Sequence, residues 1–477
     1  MKKIILISCA LLATKAMAMS IDWTGGYRIE YNEIDRPSLA DSKERKAYGL
    51  NFLYLQPKIL ASDGINIISR FDVFSNTHPA YRNSQLGSVF GNGLNTSASS
   101  NTSGPNITSE NQDSSLMRVS QLYLNVNQEY GTLVAGRAPI DFGLGITHNA
   151  GLNPFDHWYD TKDLVAYKFV VDNISFTPML ARVAQKDFGQ GVTIADQIFE
   201  FDYDNKDIGA KAGLFHQTRR SSRESNDGLT APTAPNGIAL PITGAALDSG
   251  WASQTINLFF GRSWESFQFK LEASFLTGDT GYTVGAGGAP IKYNAYAVAI
   301  DMLMPALADS KWEYGAKLGL ASGDNPTTTN VIEGYQMDRN YDVAMLLFNH
   351  RMGQKDFLTT KLIHTDTSLN VGNSADDEAI GNAFYLAPSA KYQWNDKVDV
   401  KTTLIYAQLA VNPTVSLNAS KDLGTEVDVD VIYKPRERIT WSNQIGILIP
   451  GQAWKDGDSG LDNKMNFGIS TKAAITF

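Results

Sequence analysis

The final stretch of the chain, Lys464 to Phe477 (KMNFGISTKAAITF), restricts the fold more than any other. Met465, Phe467, Ile469, Ala473, Ile475 and Phe477 fall on one side of an extended chain, and Asn466, Gly468, Ser470, Lys472 and Thr476 on the other. That is a period of two, the signature of a strand. A strand of this length, apolar on one face and small or polar on the other, suits a wall with lipid outside and water inside.

Bulk composition is compatible with such a wall. Of the 477 residues, 43% are hydrophobic and 19% charged, too polar for a helical membrane protein and ordinary for a barrel whose alternate residues face water. No apolar run after the N-terminus approaches the roughly 20 residues of a transmembrane helix. The N-terminus itself, MKKIILISCALLATKAMAMS, pairs Lys2 and Lys3 with an apolar run and a small-x-small site at Ala16-Met17-Ala18. It reads as a signal peptide, residues 1–18, cleaved to leave a chain of 19–477. The only cysteine, Cys9, lies within it, so the mature chain has no disulfide. Loss of Lys2, Lys3 and Lys15 with the peptide takes the formal net charge from −9 to −12. An acidic chain of this kind is not expected to bind nucleic acid.

From its start the mature chain repeats the terminal pattern. In WTGGYRIEY, Trp23, Tyr27, Ile29 and Tyr31 alternate with Thr24, Arg28, Glu30 and Asn32, and no plug domain is expected before them. In SFQFKLEASFL the alternation is strict from Phe267 to Phe275. Long polar connections, such as 76–114 and 218–250, alternate with tight ones such as Asp172-Asn173. If Val171 pairs with Ile174 across that turn, Phe169 meets Phe176. A turn on Pro435-Arg436-Glu437 would likewise set Asp430 beside Ser442 and Asp428 beside Gln444. The strand-like segments number about twenty, or eighteen if the two near 340 to 366, YDVAMLLFN and DFLTTKLIHT, belong to a folded external loop. Either count is even, which keeps both termini at one end.

Soluble β-sandwiches and solenoids are the structural alternative. The signal peptide argues against them, as do aromatic residues near strand ends (Trp23, Tyr31, Tyr48, Trp312, Trp394, Trp441), where a membrane interface would lie. An aromatic last residue, Phe477, also resembles the C-terminal signal of bacterial outer-membrane β-barrels, which their assembly machinery reads. The expected fold is all-β: one transmembrane antiparallel up-and-down barrel of 18–20 strands with short periplasmic turns and long external loops. Its surroundings would be outer-membrane lipids and lipopolysaccharide, and its terminal strand must pair with WTGGYRIEY to leave no open edge in lipid.

In a barrel, chemistry means the side chains along the water path. The inward faces of the cleanest strands offer Arg28, Glu30, Arg70, Asp72, Lys270 and Glu272 as pore-lining candidates, with an acidic ladder of Glu426, Asp428 and Asp430 in TEVDVDVIYK. These charges would keep a wide lumen wet and locked by cross-barrel pairs, or form a cation-attracting constriction. The segment GTLVAGRAPIDFGLGI, Gly131 to Ile146, ends a strand in a bent, glycine-rich loop. Arg137 and Asp141 stand four residues apart there, at a structural corner or at a constriction.

That G-R-x-P and G-L-G segment resembles large outer-membrane barrels of myxobacteria and related soil bacteria. The EVDVDVIYK and WSNQIGILIPG hairpin resembles the porin-like family that includes alginate exporters. The resemblance implies a diffusion channel or exporter. The expected function is a passive channel for small hydrophilic solutes, with a mild cation preference if the ladder faces the pore; the alternatives are a substrate-specific exporter or uptake channel, or a barrel acting through its long loops in recognition or catalysis. No cofactor or metal is expected, since DGDSGLD (456–462) has calcium-loop spacing without a closing acid. No enzyme activity is expected either. The histidines at 78, 148, 157, 216, 350 and 364 read as loop surface, with Asp156-His157 the nearest approach to a dyad.

Overall fold

In a wall that faces lipid, backbone amides and carbonyls are all paired only when each strand has two neighbours, so the sheet has to close. A computed structural model of the chain describes residues 20–39, 44–74, 117–185, 193–221, 245–247, 250–284, 287–307, 310–353, 357, 378–413, 419–455 and 464–477. The strands of its first half are β1 (Ser20–Asp35), β2 (Arg45–Ser62), β3 (Ile65–Phe74), β4 (Arg118–Gln128), β5 (Gly131–Pro139), β6 (Thr161–Val171), β7 (Ile174–Gln185), β8 (Thr193–Asn205), β9 (Ala210–Ser221) and β10 (Ala245–Leu247). The second half contributes β11 (Ala252–Ser263), β12 (Gln268–Val284), β13 (Pro290–Met304), β14 (Trp312–Ala321), β15 (Val331–Ile332), β16 (Ala383–Asn395), β17 (Val398–Leu409), β18 (Asp422–Tyr433), β19 (Ile439–Pro450) and β20 (Asn466–Thr476).

Apart from the short β10 and β15, these form a closed antiparallel barrel of 18 strands in sequence order. β20 closes on β1, with Gly26 opposite Thr476 and Ile34 opposite Gly468. Beyond it the Phe477 amide donates to Gly25 O at 3.0 Å, and Gly25 N returns a bond to Phe477 O at 2.9 Å. Ser20 and Phe477 lie at one end with the turns at 63–64, 129–130, 172–173, 206–209, 264–267, 396–397 and 434–438, and connections such as 140–160 and 322–382 start from the other. The β6–β7 hairpin has the expected register, with Asp172 at φ 51° and Phe169 opposite Phe176.

Of the two strand counts eighteen holds, and one register needs correction. YDVAMLLFN is not a strand but part of the β14–β16 connection. Val343 to Leu347 are all buried, a continuous apolar run rather than an alternation, because both sides of this segment are covered inside the barrel. DFLTTKLIHT lies outside the described residues except for Phe357. The β18–β19 register is also two residues away from expectation: Asp430 faces Gln444 and Asp428 faces Gly446. The turn takes all of 434–438, with Arg438 at φ 65°, so the strands begin pairing later than a tight turn would allow.

The apolar core occupies the lumen. The main cluster joins residues of the β14–β16 connection (Tyr335, Met337, Tyr341, Leu346, Leu347) to inward alanines of the wall, including Ala295, Ala297, Ala299, Ala383 and Ala407. The outer face instead exposes Trp23, Ile29, Phe199, Leu258, Phe467 and Ile475.

Candidate functional site: two loops clasped in the lumen

Among the described residues two connections fold inward. Loop A is 140–160, between β5 and β6; loop B is the described part of the connection between β14 and β16, residues 322–353, 357 and 378–382. Their backbones enter a closed wall and need partners for amides that no longer reach water. Inward charges of the wall supply them.

At the tip of loop A, Leu144 N donates to Glu272 Oε2 at 2.6 Å and Ile146 N to the same oxygen at 3.4 Å. Gly143 there has φ 63°, and a Cβ on it would stand 2.6 Å from Glu272 Oε2. The approach therefore requires glycine. Phe142 packs beside it against Phe215, ring centroids 5.5 Å apart. Farther along, Arg28 Nη1 donates to Pro154 O (2.9 Å) and Asp156 O (2.8 Å), while its Nε meets Glu30 Oε1 at 3.0 Å. His157 Nε2 lies 2.6 Å from that same carboxylate oxygen. Arg70 holds Asp72 at 2.9 Å, and its guanidinium lies between the Tyr54 and Tyr159 rings, 4.3 and 4.5 Å from their centroids. The Tyr159 hydroxyl donates to Asp72.

Loop B sits on the acidic ladder. Glu426 accepts Leu346 N on one oxygen at 2.7 Å and Leu347 N on the other at 2.8 Å; Asp428 accepts Met345 N at 2.9 Å. Inward glycines complete the seat. A Cβ at Gly446 would meet Met345 Sδ at 3.0 Å, and one at Gly468 would meet Leu346 Cδ2 at 2.8 Å. Asp430 takes a bond from Ser442 Oγ at 2.6 Å instead.

The loops also hold each other. Asn340 accepts from Trp158 N (3.1 Å) and donates to Trp158 O (2.7 Å); Asp338 N donates to Ile146 O at 2.8 Å; the Thr147 and Tyr335 hydroxyls are 3.0 Å apart. The Arg339 guanidinium covers the Trp158 ring at 4.4 Å.

Burial sets the protonation of loop A. It pushes the Asp156 carboxyl up to about 6 and the His157 imidazole down to about 4, the latter outweighing the nearby Glu30 charge. His148 and His350 are also lowered by burial. These three histidines lie inside the barrel, not on loop surface as expected, because the loops that carry them turn inward. His216 is on the wall, its ring stacked on Phe199, and His78, His364 and the 456–462 segment lie outside the described residues.

Of the residues expected along the pore, Arg28, Glu30, Arg70, Asp72, Glu272, Glu426 and Asp428 thus converge on loop contacts and are almost fully buried. Lys270 and Asp430 border open space. A cavity of about 1080 Å³ lies on the tight-turn side of loop A, with Lys270, Asp141, Lys168, Glu200 and Asp202 in its wall. A second, of about 520 Å³, lies under loop B, and Lys270, Lys317, Lys391, Lys401 and Asp430 reach it. Asp141 also accepts Ala150 N at 3.2 Å within loop A. Arg137 points outward and grips Asp163 with two bonds of 2.7 and 2.8 Å. Sequence reasoning missed the three other lysines, which sit on strands with less regular alternation, and the alanine rows, whose apolar character on both faces marks where a loop packs.

In fold, the structure of OccK9 (OpdG) from Pseudomonas aeruginosa is similar: TM-score 0.50 and 9% identity over 96% of this chain and 99% of that one. A BenF-like porin from Pseudomonas fluorescens Pf-5 is similar to the same degree, TM-score 0.50 and 8% identity over 96% and 98%. The barrel has the porin fold. At the sequence level no protein-family model and no curated protein matches the chain. The narrower resemblance to myxobacterial barrels and alginate exporters therefore finds no support, while the coarser one to porin-like barrels stands.

Proposed function

We propose that the protein is a passive channel of the Gram-negative outer membrane for small hydrophilic solutes, narrowed by loops A and B. The observation that carries this reading is the use of buried wall charges to hold two loops across the lumen, above two cavities that share Lys270. A wall that only had to fold would not need charges aimed at loop amides. The signal peptide directs export, and the assembly machinery reads Phe477. No catalytic role is assigned.

A cation preference has a weak basis. Glu426 and Asp428 spend oxygens on loop B, and the cavity that Asp430 borders mixes Asp301, Glu313 and Asp342 with four lysines, of which Lys317 lies 3.7 Å from Asp301 and Lys391 2.8 Å from Glu313. The two other lysines there, Lys270 and Lys401, carry the second reading, a substrate-selective channel that takes small anions. Reconstitution in planar bilayers separates the two. A reversal potential near zero in a salt gradient supports a general channel, an anion-directed shift supports the second reading, and absence of conductance overturns both.

A further inference from the structure

On the outer face, strand registers bring charged residues into one row near the long-loop end. Arg137 stands opposite Asp163, Asp163 opposite Arg182, Arg182 opposite Ala195, and Ala195 opposite Arg220. The row continues through Ala252 and Asp279 to Lys292. Arg137 takes both oxygens of Asp163, and Lys292 lies 3.9 Å from Asp279. Arg182 and Arg220 are exposed and, among the described residues, have no ion-pair partner. They flank the small side chain of Ala195, two strand spacings or about 10 Å apart. Two guanidiniums can converge from that distance on one tetrahedral anion, and a planar fork suits phosphate.

What lies beneath decides the kind of anion. Two residues down the strands comes an uncharged hydrogen-bonding row, Gln197, Thr218, Gln254, Thr277 and Asn294, also linked strand to strand. Two residues lower the outer face carries Phe199, Ile256, Phe275 and Tyr296, with His216 among them. With strands rising about 3.3 Å per residue and tilted about 40°, the charged row stands roughly 10 Å above that apolar belt. This is headgroup depth. The vertical order of cation, amide or hydroxyl, and hydrocarbon matches a phosphate-bearing acylated lipid and not a free ion.

We infer that Arg182 and Arg220, around Ala195, form a binding site for the phosphate of an outer-leaflet lipid, with Gln197, Thr218 and Gln254 meeting its polar acyl junction. The site rests on the membrane-barrel reading but is independent of conduction. Native mass spectrometry of the detergent-purified protein, titrated with diphosphorylated lipid A, tests it. Arg182→Gln combined with Arg220→Gln should weaken retention about 10- to 100-fold, the loss of one or more hydrogen bonds between charged groups. Lys292→Gln should change it less than about 2-fold, and Arg182→Lys with Arg220→Lys, which keeps the charges without the fork, should fall between the Gln variants and the unaltered protein. Bilayer conductance and heat-modifiable gel migration should stay as in the unaltered protein; if the double variant fails to fold, the single Gln variants are read in its place. Unchanged retention in the Gln variants, equal retention of dephosphorylated lipid A, or equal affinity for inorganic phosphate would each overturn the inference.

Discussion

Replacing Glu426 by alanine should release loop B. The carboxylate takes two backbone amides, Leu346 N and Leu347 N, at 2.7 and 2.8 Å. Net hydrogen bonds to a charged group contribute about 1.5–3 kcal/mol each, so the docked loop loses about 3–6 kcal/mol. Part of that returns. Asp428 lies two residues along the same face with its carboxyl in contact with that of Glu426, and relieving this crowding of two acids recovers on the order of 2–3 kcal/mol at an effective dielectric near 20. About 2 kcal/mol remains, roughly a 30-fold shift from docked toward free loop. Single-channel recording should show a larger, noisier conductance, and limited proteolysis should cut within 340–352, which the unaltered barrel protects. Glu426→Gln keeps one acceptor oxygen and should fall between the two. A Glu426→Ala protein with unaltered conductance and unaltered protection would refute the view that this carboxylate holds the loop.

Gly143→Ala should displace the tip of loop A, since its Cβ would collide with Glu272 at a φ disfavoured for alanine; a melting temperature lower by several degrees and a raised conductance are expected. Deleting Phe477 should sharply lower the heat-modifiable, assembled fraction while leaving the conductance of whatever assembles unchanged, and normal assembly would contradict the role of the closing seam. The pH response of loop A should be flat between about 4 and 6, because two groups oppose each other. Asp156, raised to about 6, binds a proton in the docked state before it would when free, so its contribution to docking grows as pH falls; His157, lowered to about 4, binds a proton only after it would when free, so its contribution shrinks over the same range. Asp156→Asn removes the first term and keeps the acceptor for Asn153 N, so conductance should rise from pH 7 to 4.5, and a flat profile in that variant would count against this assignment.

The wall was legible in the sequence because a period of two is a local rule. The closing pair of β1 and β20 followed from it, as did the register at Asp172-Asn173. The β18–β19 register did not, since Arg438 extends the turn through a positive φ that arginine rarely adopts and that no composition rule flags. The lumen was harder to read. Whether YDVAMLLFN lies in the wall or inside it depends on Glu426, Gly446 and Gly468, which are far away in the chain, Glu426 itself 80 residues from Leu346, and a carboxylate that accepts a backbone amide leaves no trace in the sequence of its partner. The ladder could thus be placed on the inward face while its occupant, loop B, could not be named.

Each loop supplies part of the other's footing. With Asn340 bound both ways to Trp158, and Asp338 to Ile146, a departure of loop A strips loop B of contacts that Glu426 and Asp428 do not replace. Their motions are then thermodynamically coupled, and the coupling is reciprocal. The lumen behaves as one cooperative unit with a shared threshold, so a blow at either loop registers at both. Current records would show abrupt joint transitions in place of a graded series of independent steps.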